Sequence, residues 1–87
     1  MPYIKMIDRD NLNSVTDAIQ TVGLMNAGEL NYLFTIIART YLVDKGLSYQ
    51  RINDSVGALE GAKLELYRMV AAPYEDNKIK ENGNVYF

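Results

Sequence analysis

Apolar residues recur every three or four positions along most of this chain, and that spacing predicts four helices. Leu12, Val15, Ile19 and Val22 form one stripe. They predict a first helix over about 9–22, with Asp8 or Asp10 as its N-cap and Gly23 as its stop. After the connection "GLMNAG", Leu30, Leu33, Phe34, Ile37 and Tyr41 predict a second helix over about 29–45. Glu29 near its start and Lys45 near its end both suit the helix dipole. Gly46 stops it, and Leu47 is placed for the apolar contact that often follows such a stop. Ser48 caps a third helix over about 49–72, whose stripe is Ile52, Val56, Leu59, Leu66 and Val70. Glu60 with Lys63, and Glu65 with Arg68, stand three apart on its wetter side. Pro73 then opens a fourth helix over about 73–82, because proline suits the first helical position, and Gly83 ends it.

The expected fold is a single all-α domain, residues 1–87: a three-helix bundle core plus a short C-terminal helix. The end stretches "YIKMI" and "NVYF" are rich in strand formers and could pair as a small ribbon between the termini. An irregularly packed tail is the alternative.

The second helix breaks the pattern. In "LNYLFTIIARTYLV" apolar residues cover most of the circumference, with Arg39 the only charge. A helix of that kind is buried on several sides. A chain with about four helices has little protein to surround it, so the pattern predicts a homo-oligomer.

Composition narrows the chemistry. The chain has 87 residues, enough for one small domain, and neither cysteine nor histidine. Disulfides and thiolate sites are therefore excluded, along with the commonest general base and transition-metal ligand. Nine basic residues against eleven acidic ones, a net charge of -2, argue against sequence-independent duplex DNA binding. They leave room for a small anion, which needs only two or three cations. No apolar run reaches membrane-spanning length and no signal-peptide core opens the chain, so a cytoplasmic protein with no membrane partner is expected.

Two glycines, Gly57 and Gly61, lie in the middle of the third helix, where each costs about 1 kcal/mol relative to alanine. They do not form a P-loop: three residues separate them rather than four, and Lys63 is not adjacent to Gly61. With Ala58 and Ala62 they make a smooth strip. The favoured reading is close helix packing, with Tyr32, Phe34 or Tyr41 as fillers. A ligand-pocket floor is the other.

No carboxylate pair or serine stands in a catalytic setting, so neither enzymatic activity nor a cofactor or metal is expected. The binding candidates are three arginine–tyrosine neighbourhoods: Arg39 with Tyr41, Tyr49 with Arg51, and Tyr67 with Arg68. Arginine offers a fork to phosphate, and tyrosine a face to a base. Solvated arginines beside boundary tyrosines would look the same in sequence.

At "MPYIK", "AGELNYLFTIIARTYL" and "INDSVGALEGAKLELYRMVAAPYEDNKIKENGNVY", the sequence resembles a family of small uncharacterised proteins of bacteria and their phages. The resemblance spans nearly the whole chain. It brings no activity or site residues, but it implies a phage or mobile-element setting. By analogy, small oligomeric helical proteins there act in counter-defence. The expected function is a non-catalytic binding protein that sequesters a small nucleotide-like immune signal at a subunit interface, in the host cytoplasm. The alternatives are a protein-binding inhibitor of a host factor and a structural assembly protein.

Overall fold

A computed structural model of the chain describes residues 2–87, the Lys45 side chain excepted. Among the described residues all regular structure is helical. The helices are α1 (Met6–Asp10), α2 (Asn13–Val22), α3 (Ala27–Lys45), α4 (Tyr49–Leu66) and α5 (Ala72–Asn82), with a π-helical turn, Tyr67–Ala71, joining α4 to α5. The backbone groups into two compact units, Tyr3–Val56 and Gly57–Phe87, the second including Pro2.

The expected first helix is two. Neither Asp8 nor Asp10 caps it: α1 starts after Lys5 and α2 after Leu12, and no side chain bonds to either start. Leu12 leaves the helical well (φ -105°, ψ 7°), which breaks the spiral. Backbone bonds carry the chain across the break, from the Leu12 N–H to the Arg9 carbonyl at 3.0 Å and from the Val15 N–H to the Leu12 carbonyl at 3.0 Å.

Helix α3 begins two residues earlier than its apolar stripe indicates. Asn26 Oδ1 accepts from the Glu29 N–H at 2.8 Å, and Glu29 Oε1 accepts from the Asn26 N–H at 3.0 Å. This reciprocal capping box satisfies two of the amides that a helix start leaves without partners. The Lys45 side chain, expected to favour the dipole at the other end, lies outside the described residues. Gly46 ends α3 with φ 88°, a conformation that residues with a Cβ rarely adopt. Leu47 does not make the expected contact and is 77% exposed.

Ser48 caps α4 as expected, its Oγ accepting from the Arg51 N–H at 3.2 Å. Pro73 does stand in the first turn of α5, yet the helix does not restart there. Proline has no N–H to offer the carbonyl four residues back, and its ring crowds that carbonyl. The preceding turn widens, so that the Ala72 N–H donates to the Tyr67 carbonyl five residues back. The spiral thus passes from α4 into α5 unbroken. The proposed ribbon is not present as strands: residues 2–5 and 83–87 are irregular, and Met6 and Ile7 belong to α1.

The helices form without the expected core. No described residue is buried, and stripe residues Val15, Ile37, Val56 and Leu66 are all exposed.

Candidate functional site

Helix α3 and the start of α4 carry four of the six arginine and tyrosine candidates. Arg39 projects from the middle of α3, exposed, beside a shallow open depression lined also by Ile36, Thr40, Val43 and Asp44. It makes no hydrogen bond or ion pair with another described residue. Tyr41 is turned to a different task. Its hydroxyl donates to Asp54 Oδ2 at 3.2 Å, while Gln50 Nε2 donates to Asp54 Oδ1 at 2.8 Å. This small network ties α3 to α4 and leaves Arg39 out.

At the start of α4, Arg51 Nη1 donates to the Gly46 carbonyl at 2.9 Å. One arm of the guanidinium therefore satisfies a carbonyl that the end of α3 leaves open. A Cβ at position 46 would stand 3.3 Å from the same nitrogen. Tyr49 is 80% exposed and presents its ring to solvent two residues before this anchored arginine.

The third neighbourhood lies in the other unit, across the π turn. The Tyr67 hydroxyl donates to Glu75 Oε2 at 3.3 Å and so spans the widened turn. Arg68 Nη2 stands 2.7 Å from Glu65 Oε1, and its Nε also donates to that carboxylate. This arginine already faces a negative charge of its own chain.

The small-residue strip is open at its first member. A Cβ built on Gly57 meets nothing within 4 Å, while Gly61 is half-buried. Ala58 and Ala62 are exposed, as are the suggested fillers Tyr32 and Phe34.

Sequence reasoning missed the Tyr41–Asp54–Gln50 network and the Tyr67–Glu75 bond. Gln50 and Asp54 are four apart, a spacing that brings helical side chains together and could have been noticed. The other two bonds cross a helix junction or a π turn, and neither leaves a local spacing signal.

These features define an all-helical protein with outward apolar faces and scattered polar anchors. The chain belongs to the family described as Domain of unknown function (DUF6899), which matches residues 1–85. Neither a curated protein nor a solved structure matches it. Among the described residues, no helix is long and apolar enough to cross a membrane.

Proposed function

We propose that this protein is an obligate homo-oligomer with a non-catalytic binding function. One observation carries the reading: no described residue is buried, while apolar stripes on every main helix face outward. Burial of apolar surface is the main force that holds a fold together, and a lone copy supplies little of it. Like copies are the partner always at hand.

The ligand we assign is a small anionic, nucleotide-like molecule held at subunit boundaries. Tyr49 supplies a stacking face, and Arg51, held on the Gly46 carbonyl, supplies a positive charge beside it. Symmetry repeats that pair at each equivalent boundary. In a phage setting, such capture serves counter-defence in the host cytoplasm. The exposed tyrosines, Tyr32, Tyr49 and Tyr74 among them, also support the protein-inhibitor reading, because tyrosine is enriched at protein interfaces.

Native mass spectrometry across a dilution series tests the assembly, and the melting temperature should rise with protein concentration. A folded monomer at all concentrations would refute it. Incubation with a nucleotide extract tests the ligand. A bound small molecule is expected, and Arg51→Ala should abolish its capture while the assembly persists. A stoichiometric host protein with no small molecule would favour the inhibitor instead.

A further inference from the structure

Helix α3 carries a second stripe that the main apolar pattern hides. Glu29, Tyr32, Ile36, Arg39 and Val43 follow one another at spacings of three, four, three and four. That is the heptad spacing of a helix-pairing seam. Tyr32 is 63% exposed and Val43 72% exposed, Ile36 is half-buried, and the depression beside Arg39 has both Ile36 and Val43 in its wall. The seam is apolar at three of five positions, with one acid near the helix start and one base past its middle.

We propose that this seam pairs with the same seam of a second copy, antiparallel, about a two-fold axis at the level of residue 34. The inference rests on the self-assembly reading above. The charges choose the direction. A parallel, in-register pair would set Arg39 against Arg39, burying two like charges together. The antiparallel pair centred at residue 34 sets Arg39 beside Glu29 of the second copy, and Ile36 beside its Tyr32. Both contacts occur twice by symmetry, as in any isologous interface. The same register brings Val43 to the second copy's Met25, the half-buried residue just before the α3 cap.

Glu29 is suited to both tasks. Its Oε1 accepts from the Asn26 amide, and that bond orients the carboxylate. Its Oε2 accepts no hydrogen bond from another described residue. The guanidinium of Arg39 is uncommitted among the described residues. A charged pair in a seam contributes register more than affinity, because desolvation offsets much of its attraction. One two-helix seam covers only part of the exposed apolar residues, so this pairing is one contact of the assembly.

Charge exchange tests the seam. Arg39→Glu alone and Glu29→Arg alone should each weaken association about tenfold or more, read as a dissociation constant by sedimentation. The double variant should associate at least about tenfold more tightly than either single one. The Glu29 change also removes the capping box, but the double variant carries the same loss, so the comparison isolates the pair. An assembly whose dissociation constant ignores Arg39→Glu, or a double variant no better than the singles, overturns the seam and leaves self-assembly standing. A folded monomer overturns both.

Cross-linking covers the case in which a charge variant fails to fold. The chain has no cysteine, so an introduced thiol reports on its own position. Tyr32→Cys with Ile36→Cys should give interchain disulfides on oxidation. Val43→Cys alone should not, because the two positions stand about 27 Å apart in the antiparallel pair. A disulfide between positions 43 of two copies would show parallel pairing and refute the proposal.

Discussion

Helices α3 and α5 are held in opposite ways. Along α5 and its approach, side chains serve one another. Lys78 pairs with Glu81 at 3.3 Å and stands 5.5 Å over the Tyr74 ring, and the Tyr67 hydroxyl reaches Glu75. Between the ends of α3 no two of its own side chains pair with each other among the described residues, and Tyr41 reaches out instead, to Asp54 of α4. The α3 threonines, Thr35 and Thr40, bond back to carbonyls four residues earlier, at Asn31 and Ile36. Its designed support is the capping box at one end. A helix whose polar groups pair locally can remain wet. One that is apolar over most of its circumference needs a cover, because in proteins most of a helix's stability comes from packing its apolar face. On the self-assembly proposed above, the contrast puts the contact between copies on α3.

Substitutions at matched sites can break this contrast. The largest effect is expected from Ile36→Asp, which puts a carboxylate into the α3 seam. It should cost about 3 kcal/mol or more and abolish assembly, seen by circular dichroism and sedimentation. Ile79→Asp on α5 should cost far less. Equal losses at the two sites would remove the distinction between the helices.

Gly57→Ala reads a sign. In the lone chain the added methyl meets nothing within 4 Å, so helix propensity alone would raise stability by about 1 kcal/mol. We expect the melting temperature to fall instead, because the strip of Gly57, Ala58, Gly61 and Ala62 is read as packing against a neighbouring copy. A rise would leave the strip open to solvent.

Asn26→Ala removes one half of the capping box and should cost about 1 kcal/mol, measured by thermal melting. The smallest effect belongs to Lys78→Ala. Both members of the Lys78–Glu81 pair are more than half exposed, so its loss should stay below about 0.5 kcal/mol. A larger loss would mean that α5, too, is covered in the assembly.

Much of the helical layout was legible because its signals are local. The stops at Gly23, Gly46 and Gly83 each coincide with a positive φ. The Ser48 cap and the Glu60–Lys63 and Glu65–Arg68 pairs all involve residues three apart. The start of α3 has a local signal too, since Asn26 and Glu29 are three apart, although its apolar stripe begins only at Leu30. The break at Leu12 and the π turn before Pro73 were not readable. Each depends on how one backbone position resolves competing carbonyl bonds, and several residue types would allow either outcome. The candidate site was legible only as a set of residue types. Proximity along the chain put Arg39 with Tyr41, but the helix turns them to different faces and Asp54 takes the tyrosine.

The sequence by itself determined the helical class, because the spacing of apolar residues and the glycine stops act within a few turns. It also determined that α3 is apolar over most of its circumference. The tertiary structure alone decided that one copy leaves these stripes uncovered, and which arginines are already engaged: Arg51 by Gly46, Arg68 by Glu65, Arg39 by no described residue. The reason is one of range. Helix formation is set by neighbours three or four residues away, whereas burial and charge pairing depend on where whole elements come to rest.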